Sequence, residues 1–121
     1  MRDKENKGYH KTIVWEKFKS LLLITYQLTD KLPRGEEFGL KPQMRRAIVS
    51  AMSNFVEGYL KRSMKDKNRF MEISHTSLLE LEAQSEICLL LHFWAEKEYE
   101  EFDKIRGLAT YFLTQYKSKL K

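Results

Sequence analysis

The sequence has few of the residues that mark several other classes of protein. A single cysteine, Cys88, has no partner in the chain for a disulfide, so the sequence predicts a protein of the reducing cytoplasm. Five glycines and two prolines in 121 residues, with abundant Leu, Glu and Lys, favour an all-helical fold. The longest apolar stretch, residues 87–95, is interrupted by His92. It is far shorter than the roughly 20 residues that a membrane helix needs, so no membrane span is expected.

The first eleven residues mix charges of both signs and contain no apolar core, which argues against a secretory signal. We therefore expect residues 1–10 to be a flexible N-terminal segment. Residues 11–121 are expected to form one domain, since a chain of this size can bury a core without disulfides.

The net charge of +5 is unevenly distributed along the chain. Through Arg69 there are 16 Lys and Arg against 8 Asp and Glu, whereas from Phe70 onward there are 6 against 9. Such polarity predicts either a face that binds a polyanion or an electrostatic contact between copies of the protein.

Apolar residues recur at helical spacing in four segments, which predicts helices at about residues 11–31, 42–61, 65–92 and from 96 onward. Pro33 and Gly35 end the first segment, and Phe38 and Leu40 in the following linker are expected to pack back onto the core. Short connections between amphipathic helices predict an antiparallel up-down-up-down four-helix bundle.

Ser63 and Asp66 have the spacing of a capping box and predict where the third helix begins. The predicted core-facing seam of that helix has near-heptad spacing, which indicates near-parallel packing of the helices. Its residues are Phe70, Ser74, Ser77, Leu81, Gln84, Cys88 and Leu91.

The segment Gln43 to Gly58 combines an apolar helical face with several polar side chains. Polar groups on a packed helix need partners, so this helix either contains an internal polar network or presents a site. The residues assigned to a structural polar network are Arg46, Asn54, Glu57 and Glu80. Apolar residues on a second face of this helix favour burial against another subunit.

The order and spacing of many residues between 13 and 118 resemble one known family. This is the four-helix-bundle family encoded by intervening sequences in bacterial large-subunit ribosomal RNA genes. The matching residues are Tyr26-x-Leu28-Thr29, Leu32-Pro33, Glu37-Phe38-Gly39-Leu40, Gln43-x-Arg45-Arg46-Ala47, Ser50, Asn54, Glu57-Gly58, Arg62-Ser63, Arg69-Phe70 and Ser77-Leu78-x-Glu80-Leu81-Glu82.

The accessory variability determinant protein of diversity-generating retroelements is similar in architecture, although its sequence matches less closely. The resemblance implies a homopentameric barrel, since members of this broader group form such assemblies. The retroelement protein is basic and works with a reverse transcriptase and its RNA. The ribosomal-RNA-associated branch brings no established biochemical activity to this chain.

A basic cluster follows Gly58, at the predicted turn between the second and third helices. Its cations could neutralise several phosphates, and the positive end of the third helix would add to their field. The alternative is a solvated turn without a partner. The candidate nucleic-acid-binding residues of this cluster are Lys61, Arg62, Lys65, Lys67 and Arg69.

Arg45 and Arg46 complete the set of candidate nucleic-acid-binding residues. Neighbouring residues on a helix point about 100° apart, so the two side chains face different directions. One is expected to pair internally, with Glu57 or Glu80, while the other faces a partner subunit or nucleic acid. The sequence leaves open which of the two is buried.

The sequence predicts no enzyme, no metal and no cofactor. Glu72 and His75 have the spacing used in di-iron bundles, but those bundles need two such motifs and further glutamates. Cys88 lies in an apolar run and is expected to be an inert core thiol.

We therefore expect a non-enzymatic, oligomeric accessory protein whose basic surface contacts RNA or DNA phosphates, with no small-molecule substrate. The alternative is a structural or protein-interaction module whose basic face binds a partner such as a reverse transcriptase. A metal-dependent bundle enzyme is the third and least favoured hypothesis.

Overall fold

A computed structural model describes residues 8–120, and within them the chain is all-α with four helices. We name them α1 (Ile13–Thr29), α2 (Leu40–Leu60), α3 (Met64–Leu90) and α4 (Glu96–Ser118). A short 3₁₀ turn precedes α1 at Gly8–Lys11, and another precedes α2 at Arg34–Glu36. The prediction of an all-helical chain with four helices is confirmed.

Side chains at the helix ends explain where the helices begin. The Thr12 hydroxyl accepts a hydrogen bond from the Trp15 backbone N–H at 3.1 Å, which caps α1. The Ser63 hydroxyl accepts from the Asp66 N–H at 3.1 Å and caps α3, at the position that the sequence predicted. Each bond satisfies a backbone donor that has no partner within its own helix.

The four helices pack as a bundle in which α1 contacts α2, α2 contacts α3, α3 contacts α4 and α4 returns to α1. Short turns at residues 61–63 and 91–95 make consecutive helices antiparallel. The fully buried core includes Phe18, Phe55, Met44, Leu81 and Phe102. Burial of these large side chains supplies the main driving force for folding.

Helices α2 and α3 have the most extensive contact in the bundle. Small residues face each other there, and the Ser74 hydroxyl donates to the Ala51 carbonyl oxygen at 2.6 Å. A Cβ added to Gly58 would lie 2.9 Å from the Phe70 Cβ, so the two backbones approach too closely for a larger residue. This close packing holds α2 and α3 together along their shared face.

The ends of the chain differ from the predicted domain boundary. Residues 8–10 belong to the N-terminal 3₁₀ turn, and Tyr9 packs against the core. The packed part of the chain therefore begins before Lys11. Residues 1–7 of the predicted flexible segment, and residue 121, lie outside the described residues.

Two details of the predicted core are wrong. Phe38 was expected to anchor the linker, but it is 95% exposed because the turn before α2 directs it away from the bundle. Leu91 was placed in the α3 seam, but it is 54% exposed because α3 ends at Leu90. The buried residues of the predicted seam are Ser74, Ser77, Leu81 and Cys88. The seam also includes Met71, Leu78 and Ser85, which are seven residues apart.

Candidate nucleic-acid interface

One end of the bundle collects the start of α1, the end of α2, the start of α3 and the end of α4. Gly8 lies against the Tyr59 ring, and the rings of Tyr59 and Tyr116 are 6.0 Å apart between centroids. The Lys117 ammonium contacts the Glu72 carboxylate at 2.9 Å, which ties α4 to α3. Four segments distant in sequence therefore form one surface.

This end of the molecule is strongly basic. The basic half, defined as residues 8–20, 51–76 and 108–120, has ten Lys and Arg against four Asp and Glu. The acidic half, residues 21–50 and 77–107, has eight against eleven. Antiparallel helices thus sort the charges of the described residues into a half of net charge +6 and a half of net charge −3. Such a surface favours a polyanionic partner at its basic end.

The turn between α2 and α3 contains the predicted basic cluster, but its cations differ in their surroundings. The Lys67 ammonium donates to the Tyr59 carbonyl oxygen at 2.8 Å, which satisfies a carbonyl at the end of α2. Lys61 pairs with Glu57 at 3.5 Å, and Arg69 pairs with Asp66 at 3.5 Å. These three side chains therefore also stabilise the turn itself.

Arg62 and Lys65 are exposed and, within residues 8–120, form no ion pair or hydrogen bond through their side chains. Their positions at the α2–α3 turn leave both charges open to solvent. They are accordingly the members of the cluster best placed to contact phosphate groups.

Aromatic rings lie beside several of these cations. The Lys61 ammonium lies 5.3 Å from the centroid of the Phe70 ring, and the Arg69 guanidinium lies 4.6 Å from it. The Lys67 ammonium lies 5.7 Å from the centroid of Tyr59. Contacts of this kind hold long cationic side chains in place and restrict their motion.

Arg45 is a structural residue in this chain. Its guanidinium donates to the Thr29 hydroxyl at 2.9 Å, the Tyr26 carbonyl at 3.2 Å and the Asp30 carboxylate at 2.8 Å. It also lies 4.3 Å from the centroid of the Tyr26 ring. The prediction that the internally paired arginine contacts Glu57 or Glu80 is therefore wrong. Arg45 is that arginine, and its partners lie at the end of α1. This guanidinium holds the pKa of the Asp30 carboxyl below its ordinary value.

Arg46 points elsewhere, as the angle between neighbouring helical residues requires. It is exposed and lines a polar cleft between α2 and α3 together with Glu80. Within the described part of the chain its guanidinium has no hydrogen-bond or ion-pair partner.

The proposed network of Arg46, Asn54, Glu57 and Glu80 is not joined by direct contacts in residues 8–120. Asn54 instead donates to the Ser50 carbonyl at 2.9 Å, and the Ser50 hydroxyl lies 2.8 Å from that of Ser77. The Glu57 carboxylate forms an ion pair with Lys61, four residues further along the chain, because residues four apart are neighbours on a helix. The serines, which sequence reasoning left out of the network, are the side chains that link α2 to α3.

The predicted inert thiol is buried. Cys88 is fully inaccessible, and its burial raises the pKa of the thiol to about 12. The thiolate is the reactive form of cysteine, so this group is held in its unreactive state.

Glu72 and His75 do not belong to a larger group of metal ligands. Among the described residues, no three His, Cys, Asp or Glu side chains cluster in a way that could hold a metal ion. Glu72 pairs with Lys117, whereas the Nδ1 atom of His75 is buried without a hydrogen-bond partner. Burial, with a smaller effect of Lys117, holds the pKa of His75 below its ordinary value.

Within residues 8–120, no helix combines the length and the apolar character needed to cross a bilayer.

The sequence model of one family, described as 23S rRNA-intervening sequence protein, matches residues 10–107. No curated protein sequence matches the chain. The matched region contains α1, α2, α3 and the first half of α4, and therefore includes the α2–α3 turn. The chain belongs to the 23S rRNA-intervening sequence protein family.

Proposed function

We propose that this protein is a non-enzymatic accessory protein that binds the phosphates of RNA or DNA through its basic half. The observation that supports this proposal is the concentration of ten Lys and Arg side chains at one end of the bundle, where Arg62 and Lys65 are open to solvent. Neutralised phosphates release their counterions, so such a surface binds nucleic acid without needing a deep pocket. Membership of a family encoded within ribosomal RNA genes agrees with a nucleic-acid partner.

We further propose that the protein assembles as a homopentamer in the cytoplasm. The supporting feature is an apolar groove on the α1–α2 face, with Trp15, Leu22, Val49, Met52 and Val56 along it. Val49 is 44% exposed, although it lies on a helix that is already packed on its other side. Apolar surface of this kind favours contact with another subunit. The lone buried cysteine suits a reducing compartment.

In such a ring, subunits that point the same way would repeat the basic half around one rim. Each site would then contribute to the binding of one long polyanion, which raises the overall affinity without new contacts. The expected binding is salt-sensitive and weakly dependent on sequence, because phosphates carry the interaction.

The test compares two double variants with the same change in charge. The first, Arg62→Glu with Lys65→Glu, alters the open cations of the α2–α3 turn. The control, Lys97→Glu with Lys104→Glu, alters two exposed cations in the acidic half that have no ion pair within the described residues. Binding is measured by fluorescence anisotropy with a labelled single-stranded RNA and a labelled duplex DNA at several salt concentrations.

We expect the first variant to bind about tenfold or more weakly and to show a shallower salt dependence, since it makes fewer phosphate contacts. The control should bind nearly as the wild type does, because charges beyond a Debye length of about 8 Å are screened at physiological salt. Equal losses in both variants, or no salt-dependent binding of either nucleic acid by the wild type, would contradict the proposal.

The second candidate function is a protein-interaction module whose basic half meets an acidic partner such as a reverse transcriptase. The same sorting of charge favours it, because a basic surface attracts an acidic protein as well. A pull-down that yields a stable complex after nuclease treatment, lost in the Arg62→Glu and Lys65→Glu variant, would favour this function over direct nucleic-acid binding.

A further inference from the structure

A small polar cleft lies between α2 and α3, away from the basic turn. Its volume is about 340 Å³, at the lower end of the range for sites that hold a small ligand. The residues that line it are Gln43, Arg46, Ala47, Ser50, Glu80 and Gln84. One cation and one carboxylate face the cleft, so a ligand with little net charge at this point suits it.

The polar groups of the cleft are not satisfied by one another. Arg46 and Glu80 line the same cleft, yet their side chains do not form an ion pair with each other. The Oε1 atom of Gln84 is buried without a hydrogen-bond partner. Arg46 and Glu80, which are both exposed, are therefore the groups that a ligand in the cleft can reach.

The walls of the cleft are held rigidly, because they belong to the closest helix pair of the bundle. The contact between the Ser50 and Ser77 hydroxyls joins the two walls at 2.8 Å, and Asn54 donates to the Ser50 carbonyl. Ala47 is 4% exposed and offers only a methyl group between the polar residues. The helix walls of the cleft are therefore fixed relative to each other, with room between them for a flat group.

We propose that this cleft binds a guanine base of the nucleic acid, an inference that rests on the proposed function. The Arg46 guanidinium presents two parallel donors, which match the O6 and N7 acceptors of guanine. The two oxygens of the exposed Glu80 carboxylate accept hydrogen bonds, which suits the N1–H and N2–H donors on the other edge of the same base. Adenine lacks both the O6 acceptor and these donors, so the cleft discriminates against it.

The position of the cleft relates it to the phosphate-binding turn. Arg46 lies 14 residues before Leu60, the last residue of α2, so a rise of 1.5 Å per residue places the cleft about 21 Å along the helix axis from the basic turn, within the acidic half. A single strand of several nucleotides can span this distance, whereas a base inside a duplex is not open on both edges. The cleft thus adds a base preference to binding that is otherwise carried by phosphates.

The experiment titrates the full chain with guanosine 5′-monophosphate and with adenosine 5′-monophosphate, and follows binding by calorimetry and NMR. Both probes have the same phosphate, so a difference in affinity reports the base. The variants are Arg46→Lys, which keeps the charge but loses the paired donors, and Glu80→Gln. Arg34→Lys is the matched control, because Arg34 is exposed and its side chain has no partner within the described residues.

We expect the wild type to prefer the guanine nucleotide by about tenfold, the typical effect of one well-formed bidentate contact. Arg46→Lys and Glu80→Gln should remove most of this preference, while Arg34→Lys should keep it. Equal affinity for the two nucleotides, or a preference that survives Arg46→Lys, would overturn the proposal.

The two proposals fail in different ways. If RNA binds through the basic turn but the two nucleotides bind equally, the guanine site is refuted and the proposed function stands. If the guanine preference is found but the Arg62→Glu and Lys65→Glu variant binds RNA as the wild type does, the proposed phosphate site is refuted instead.

Discussion

Arg45 and Arg46 are adjacent in sequence but have opposite roles in the structure. Arg45 donates to the Thr29 hydroxyl and the Tyr26 carbonyl at the end of α1. Arg46 lines a cleft instead and has no hydrogen-bond or ion-pair partner among residues 8–120. The angle of about 100° between neighbouring helical residues produces this difference. A residue pair that looks like a single basic motif therefore contains one structural and one available side chain.

Replacing Arg45 by Ala is expected to lower the free energy of unfolding by about 1–2 kcal/mol, because the end of α1 loses its hydrogen bonds and Tyr26 loses a stacked guanidinium. The ion pair with Asp30 adds little to this loss, since that carboxylate is well exposed. Arg46→Ala should change the stability by less than about 0.5 kcal/mol. Urea unfolding of the two variants tests this, and equal losses would contradict the assigned roles.

His75 makes the stability of the protein depend on pH. Burial, more than the nearby Lys117, holds its pKa in the folded chain below the ordinary value of 6.5, and Glu72 opposes this shift. Below pH 6.5 the unfolded chain therefore binds a proton that the folded chain resists, and stability falls as the pH falls. Above that pH both states have a neutral histidine, so the contribution vanishes.

The measurement is urea unfolding of the wild type and of His75→Gln across this pH range. The decline below pH 6.5 should be smaller in His75→Gln, because this variant has no group to protonate there. Parallel pH profiles for the two proteins would show that His75 is not responsible.

Sequence patterns were least informative for single side chains whose environment is set by distant residues. Phe38 looked like an anchor because it is aromatic, but the direction of the turn before α2 decides its exposure. Arg106 was not expected in the core, yet it is 9% exposed and pairs with Asp103 and Glu82. The Glu82 partner comes from another helix, and helical periodicity within one segment contains no information about it.

At the scale of elements, the α2–α3 contact depends on the absence of a side chain at one position. A Cβ at Gly58 would lie 2.9 Å from the Phe70 Cβ and 3.2 Å from the Lys67 carbonyl oxygen. Gly107 in α4 has nothing within 4 Å of the same position. Both glycines lie inside helices, so a comparison of alanine substitutions at the two positions distinguishes the effect of close packing from that of helix propensity.

Gly58→Ala is expected to destabilise the protein by about 1–2 kcal/mol. Moving the helices apart to fit the methyl group costs more free energy than burial of that group recovers. Gly107→Ala should stabilise it by about 0.5–1 kcal/mol, since alanine restricts the unfolded chain and fits the open space. Thermal unfolding of both variants tests the pair. A stabilised Gly58→Ala would show that α2 and α3 are not closely packed there.

The helices themselves were predictable, because local signals mark their ends. Pro33, Gly35 and Ser63 lie where the predicted helices stop or start, and the observed bounds differ by only a few residues. The core face of α3 was predictable in part, because Ser74, Ser77, Leu81 and Cys88 of the predicted seam are buried. Met71, Leu78 and Ser85 were missed. Small polar residues have no strong preference for burial, so contacts such as the bond from Ser74 to the Ala51 carbonyl of α2 decide their place.

At the scale of the whole molecule, the fold converts an uneven sequence into a bipolar surface. The sequence contains a basic first part and an acidic second part, and the antiparallel bundle divides each of them between the two ends. The basic turn was predictable from residues 61–69 alone. The contribution of Lys11, Lys117 and their neighbours to the same end was not, because it requires the bundle topology.

This bipolar surface predicts how the proposed pentamer responds to salt. In a ring whose subunits point the same way, the five basic halves lie side by side and repel one another, while apolar surface holds the subunits together. Raising the salt concentration from about 0.05 M to about 0.5 M shortens the Debye length and weakens this repulsion, so the ring should become more stable. A head-to-tail assembly, which joins basic to acidic halves, should instead dissociate.

Analytical ultracentrifugation and light scattering distinguish these outcomes. The expected result is a species of about five times the 14.5 kDa mass of one chain, whose fraction at low protein concentration rises with salt. Val56→Glu places a charge in the α1–α2 groove and should shift the protein to smaller species, whereas Thr114→Glu, an exposed position on α4 that does not line that groove, serves as the control. A monomer under all conditions would refute the ring, and dissociation by salt would replace it with head-to-tail contacts.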